Sequence, residues 1–256
     1  KKRYNSMRQS IPPITKNLII INVLFYFATI VFSVKGINLD VFLAAYYPES
    51  PNFKPWQVLT HMFMHASFPE ITHILFNMFA LWMFGSVVEK TFGPKKFLIL
   101  YFLAGFGGFI LFNLVNYFQI QDLKDTIQSQ GIPFSEIYNY SRLNIQGALY
   151  NIPDNFRSTQ EAINLINDFR TPMVGASGAI YGLLLAFAVL YPDEKLMLIF
   201  FPVPIKAKYF IPIMVLIEFY MGYKNIGNVA HFAHLGGGLI GFLLARSWKK
   251  NLYRWN

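Results

Sequence analysis

The chain has 256 residues, of which 54% are hydrophobic and only 14% charged, too little charge to clothe a soluble surface of that size. This composition excludes disorder and fibrous repeats, and a mean hydropathy of +0.37 predicts apolar spans alternating with an appreciable polar part. A net charge of +9 is compatible with a nucleic acid, an acidic substrate or a membrane surface, while the absence of cysteine excludes disulfides, a Cys nucleophile and a Cys-based zinc site.

Crossing a bilayer core of ~30 Å takes about 20 apolar residues of helix. Six stretches approach that length: 18–34, 71–88, 97–117, 173–191, 209–223 and 230–246, the fifth being the shortest. The first follows a basic segment, 1–17, and no small-residue cleavage site follows Val34, so it reads as a retained signal anchor. A first outer loop, 35–70, contains an apolar stretch, 56–66, preceded by Pro55 at a helix-start position and expected in the interface. A second, polar outer segment, 118–172, carries a capping-box spacing, Ser158 and Glu161, ahead of a helical stripe of Ala162, Ile166 and Phe169. Residues 200–208, with Pro202 and Pro204, break helix and are expected at the inner interface. The chain thus divides into a basic segment 1–17, a membrane domain 18–246 and a basic tail 247–256, with no internal repeat.

Lys and Arg are retained on the cytoplasmic side of a membrane. Six spans put both termini on one side, and that side holds 15 of the 22 basic residues. Both termini are therefore expected in the cytoplasm, and the second, fourth and sixth spans descend from the outer face. The +9 becomes an orientation signal and not a sign of nucleic-acid binding.

Ionisable groups inside membrane segments are functional candidates. All five histidines, His61, His65, His73, His231 and His234, fall near the predicted outer ends. With helix starts near Pro69, Pro172 and Val229, His73, Ser177 and His234 each lie about five residues, or ~7 Å, inward. Gly178 and Gly182 on the fourth span, and Gly237 and Gly241 on the sixth, have the small-xxx-small spacing that lets backbones touch. Packing these faces together brings Ser177 within reach of His234 and predicts a nucleophile and its general base. His73 and Asn77, four residues apart on one face, together with the Ser177 backbone N–H at a helix start, supply donors for an oxyanion.

Tyr181, one turn after Ser177, can stack on the imidazole. No Asp or Glu is placed to complete a triad, and Glu218, mid-span in the fifth helix, reads as snorkelling or paired. His231 is a rival base, closer to the boundary than His234. His61 and His65, at i and i+4, can bind a metal, but no carboxylate clusters with them.

At these residues the chain resembles the rhomboid family of intramembrane serine proteases. His73-Ile-Leu-Phe-Asn77 is similar to the family's second-helix pattern, Gly175-Ala-Ser177-Gly178 with Tyr181 to its nucleophile motif, and Ala233-His234 followed by Gly237 and Gly241 to its last-helix motif. The segment from Gly85 through Glu89 to Gly93 resembles the one that follows the second helix. The last-helix register selects His234 over His231. The resemblance implies an all-α, six-helix bundle with a water-filled cavity open to the outside. It further implies cleavage of transmembrane protein substrates in the lipid bilayer near its outer boundary, with no cofactor, no metal and no nucleic acid.

Two departures stand out: Trp56-Gln57 where many relatives have Trp-Arg, and the length of 118–172. A basic arm and six spans fit a bacterial inner-membrane member better than an organellar one. Readings from other classes are a catalytically silent client-binding relative and a metal transporter lined by His61, His65 and His73.

Overall fold

A computed structural model describes residues 10–148, 159–198, 201–224, 226 and 230–252. The first apolar run forms α1 (Pro13–Val34), opening with proline at its first position, where an absent N–H leaves nothing unsatisfied. The amides of Ile14 and Thr15 donate to the carboxylate of Glu89 at 3.0 and 2.7 Å, and Thr15 Oγ1 donates to it at 2.7 Å. Glu89 is buried, and an anion at a helix N-terminus answers both the free amides and the helix dipole.

Residues 35–70 are a loop carrying α2 (Asp40–Leu43), α3 (Gln57–Thr60) and one 3₁₀ turn (His61–Phe63). The apolar stretch 56–66 is therefore two short turns that end in extended chain at Met64, because Gln57, Thr60 and Trp56 use their side chains to bind neighbouring carbonyls. Gln57 is fully buried: its amide donates to Asn52 O at 3.2 Å and its carbonyl accepts from the Lys54 N–H at 2.9 Å.

The second span is α4 (Thr72–Ala80), extended through a π-helical turn (Leu81–Gly85) into α5 (Ser86–Ser129). Gly93, at φ 79°, breaks helical geometry immediately before Pro94 and separates the second span from the third. The third helix continues twelve residues beyond the expected end at Tyr117, to Ser129. That extension, α6 (Phe134–Tyr140) and α7 (Gln160–Arg170) close over a second core of Ile120, Ile127, Ile137, Ala162, Ile166 and Phe169. The expected stripe is thus the buried face of α7; Ser158 of the capping box lies outside the described residues. Asn52 and Ser50 of the first loop bind Phe169 O, and Ala45 and Met173 exchange backbone bonds of 3.0 and 2.7 Å, so the outer segment is fastened to the first loop.

The fourth span becomes α8 (Ser177–Leu190), shorter at its start than 173–191 because Ala45 pairs with Met173 as extended chain. An antiparallel hairpin follows, β1 (Lys195–Leu198) with β2 (Phe201–Lys206), in register Lys195 with Lys206 and Leu196 with Ile205. The fold is mostly helical, and this hairpin is a local departure from the all-α expectation. Pro202 and Pro204 exclude a helix but are tolerated in an outer strand, which needs N–H groups on one side only.

The last two expected spans become α9 (Ala207–Tyr223) and α10 (His231–Leu252); the expected helix start at Val229 lies outside the described residues, as do 1–9 of the basic arm and 253–256 of the tail. The main core, including Leu81, Phe97, Tyr101, Ile180, Leu183 and Ala245, lies among α1, α5, α8 and α10. On α9, Ile213, Leu216, Ile217, Phe219 and Tyr220 face outward uncovered. By length and hydropathy, α1 and the α4–α5 run qualify alone as membrane-crossing helices among the described residues.

Candidate active site

Three glycine faces meet where α5, α8 and α10 cross. A β-carbon at Gly237 would lie 1.9 Å from Gly178 O, and one at Gly241 would lie 2.1 Å from Gly182 O, so only glycine permits this approach of α8 and α10. Gly107 and Gly108 of α5 join them: a β-carbon at Gly108 would lie 2.7 Å from Ala233 O, and one at Gly236 would lie 2.4 Å from Gly107 O. This third face escaped the sequence reading, although Gly105, Gly107 and Gly108 crowd one turn of the third span.

The crossing sets Ser177 against His234, with Ser177 Oγ 2.9 Å from His234 Nε2. Ser177 is the first residue of α8, so its N–H is among the first-turn amides without a carbonyl partner inside the helix. Gly175 precedes it at φ +119°; a β-carbon there would be strained and would sit 3.1 Å from the His73 ring and 3.6 Å from Ser177 Oγ. His73 and Ser177 therefore flank the same glycine. The imidazole of His73 is held by the Ala66 N–H, which donates to Nδ1 at 3.0 Å and leaves Nε2 toward the serine side.

Helix starts differ from those inferred. His73 is the second residue of α4, Ser177 the first of α8 and His234 the fourth of α10, so the three share the N-terminal ends of their helices without lying five residues inside them. Extended chain before Ser177 and a turn before Thr72 occupy the space between each boundary proline and its helix. Asn77 Nδ2 donates to His73 O at 2.7 Å, its own helix, and its buried Oδ1 has no partner.

Tyr181 stacks on His234 with ring centroids 4.2 Å apart and planes 4° from parallel. Behind the imidazole stands Glu218 of α9. His234 Nδ1 lies 3.1 Å and His231 Nδ1 2.6 Å from Glu218 Oε2, and the Tyr181 hydroxyl donates to Glu218 Oε1. The expectation that no acid is placed to reach the histidine is corrected: Glu218 turns inward, away from the apolar flank of α9.

The histidines of the transporter reading do not converge as one ligand set, although the His65 and His73 rings pack edge to face with centroids 5.3 Å apart. His61 Nδ1 bonds Gln57 O at 2.9 Å, His65 Nε2 bonds Asn22 Oδ1 at 2.9 Å, and His73 accepts from Ala66. Among the described residues, the one group of three ligating side chains is Glu218, His231 and His234. A narrow cavity lined by His61, Phe109, Met173, Gly175, Ser177 and Ala233 adjoins the serine.

The family model described as Rhomboid domain matches residues 52–120 and 147–249, about two thirds of the chain, and the chain belongs to the rhomboid family. It is 29% identical over 218 residues to an uncharacterised mitochondrial rhomboid protein of Schizosaccharomyces pombe, covering 76% of this chain and 52% of that one. It is 28% identical over 210 residues to the mitochondrial RHOMBOID-like protein 12 of Arabidopsis thaliana, covering 79% and 50%, and 28% identical over 172 residues to the rhomboid protease GlpG of Haemophilus influenzae, covering 63% and 82%. The chain spans about half the length of the two mitochondrial relatives. Family membership makes it an integral membrane protein. It gives no support to the expected bacterial inner membrane, since two of these relatives are mitochondrial.

Proposed function

We propose that this chain is an intramembrane serine endopeptidase that cleaves membrane-anchored proteins in or near their transmembrane segments. The observation that carries the reading is the 2.9 Å approach of Ser177 Oγ to His234 Nε2 at the outer ends of two glycine-packed helices.

His234 Nε2 accepts the hydroxyl proton as Ser177 Oγ attacks the scissile carbonyl carbon, giving a tetrahedral oxyanion. The Ser177 N–H and the imidazole of His73 are its donors, with Asn77 joining when its side chain turns from the helix; fixed donors in a low-dielectric site strengthen as charge develops. His234 then gives its proton to the leaving amine, the carbon–nitrogen bond breaks, and an acyl-enzyme remains. Water attacks the ester with His234 again as base, releasing the second product and restoring the serine. No metal or cofactor enters any step. Gly175, Gly178, Gly237 and Gly241 hold the two groups at working distance, and Tyr181 keeps the imidazole plane.

In this reading six spans, 18–246, form the membrane domain, with both termini cytoplasmic and the site opening outward. The outer cap built on 118–172 stands on the substrate side. The test is cleavage of a transmembrane substrate by the purified chain in detergent, together with fluorophosphonate labelling of Ser177. Ser177→Ala and His234→Ala are expected to abolish cleavage; turnover retained by either, in protein that unfolds at the wild-type temperature, rejects the assignment.

A further inference from the structure

The partly buried acid of α9 has a place in this chemistry that the two-residue scheme does not use. Glu218 is flanked in its helix by Leu216, Ile217, Phe219 and Tyr220, which are apolar and face outward, yet its carboxylate turns inward and touches three groups. Oε1 accepts from the Tyr181 hydroxyl, while Oε2 faces His231 Nδ1 at 2.6 Å and His234 Nδ1 at 3.1 Å. A carboxylate offers only acceptors, so both histidines present Nδ1–H to it. In the neutral ring of His234 this leaves Nε2 as the lone-pair nitrogen, the form that can accept the Ser177 proton 2.9 Å away. The other nitrogen of His231 faces the carbonyl oxygen of Ile226 at 2.9 Å, again an acceptor. His231 thus faces an acceptor at each ring nitrogen, so an imidazolium there would donate to both and neutralise the partly buried carboxylate.

We propose that Glu218 is a positioning residue for His234: it selects the Nδ1–H tautomer, fixes the ring against Tyr181, and opposes the positive charge the ring acquires when it takes the serine proton, with His231 as the carboxylate's resident counter-ion. The proposal rests on the protease reading. It differs in placing a third, charged member behind the histidine, contributed by a different helix from those that carry Ser177 and His234. The proton moves only from Ser177 Oγ to His234 Nε2 and on to the leaving group; Glu218 keeps its charge throughout. The ionisable groups facing it are Tyr181 from α8 and His231 and His234 from α10, with His73 of α4 beyond His234.

The test compares wild type, Ser177→Ala, His234→Ala and Glu218→Gln as full chains in detergent, following cleavage. Glu218→Gln keeps the shape and removes the charge. Its kcat is expected to fall roughly 10²-fold with KM little changed, as for loss of a group that acts in the transition state. A wild-type kcat, or a loss carried by KM alone, overturns the proposal, while a Ser177→Ala or His234→Ala variant that still cleaves overturns the protease reading itself. Should Glu218→Gln not fold, nitrogen-15 spectra of wild-type histidine, assigned by His234→Ala, decide: the Nδ1–H tautomer at His234 is expected, and the Nε2–H tautomer refutes. Activity lost in excess EDTA and restored by Zn²⁺ would give Glu218, His231 and His234 to a metal and likewise overturn the proposal.

Discussion

Replacing Gly237 by alanine adds one methyl group where a backbone oxygen already stands. Its β-carbon would lie 1.9 Å from Gly178 O, and real β-carbons essentially never approach closer than 3.0 Å, so α8 and α10 must part by at least 1.1 Å there. Gly237 is three residues from His234, and Gly178 adjoins Ser177, so most of that displacement passes to the reacting pair. The Ser177–His234 separation of 2.9 Å opens to about 3.8 Å, beyond hydrogen-bond range, and a misplacement of this size costs about 10²-fold in rate. Overpacking costs about 1–3 kcal/mol of stability, while alanine recovers about 1 kcal/mol through better helix propensity. The net loss of stability is therefore small and the loss of activity large. Gly238→Ala is the control: its new carbon meets only the tip of the Leu185 side chain, Cδ2 at 2.9 Å, which can rotate away. Cleavage rate and unfolding temperature in detergent, measured for both variants, check this. Gly237→Ala that folds and cleaves within threefold of wild type, or Gly238→Ala that is equally damaged, refutes the reasoning.

Two further consequences concern the scaffold. Glu89→Ala removes three hydrogen bonds to a buried charge and leaves two amides of α1 unanswered; at about 1.5–3 kcal/mol for each charged bond, and less than additively, stability is expected to fall by about 3 kcal/mol, and a loss below 1 kcal/mol in denaturant titration would show that α1 is held elsewhere. Burial of Asp168 on α7 raises its pKa to about 6, and its Oδ2 is buried without a partner. The fold thus favours the protonated acid, and stability is lost as pH rises from about 4 through 6. Asp168→Asn is expected to unfold at a higher temperature than wild type at pH 7 and at the same temperature at pH 4; an equal difference at both pH values contradicts this.

What local pattern encodes was legible in the sequence. Apolar length marked α1 and α10, and the Ala162–Ile166–Phe169 stripe marked the buried face of α7. The glycine spacings announced that α8 and α10 touch, because only backbones that nearly collide require glycine at 178, 182, 237 and 241. Boundaries set by distant partners were not legible. Nothing near Met173 reveals that Ala45 will pair with it and delay α8 to Ser177. Nor do the apolar residues of 195–206 announce a hairpin, since Pro202 and Pro204 say only that the segment is not helical.

Glu218 shows where such reading ends. A helix of α9's composition, apolar around its whole circumference, has no periodicity to say which side faces the protein. The rotation of α9 is set instead by a small contact strip, Ala207, Ile211 and Gly222, and this strip turns Glu218 toward Tyr181 and His231. The strip is legible only once the partner is known: a β-carbon at Gly222 would lie 3.1 Å from His231 Cβ and from the Phe232 ring, so the close approach of α9 to α10 needs a small residue there. A partly buried carboxylate without partners would cost more than a snorkelling one, so its inward turn makes sense only with His231 and His234 already opposite it. The acid and the two histidines therefore account for one another, and each taken singly had a blander explanation in the sequence.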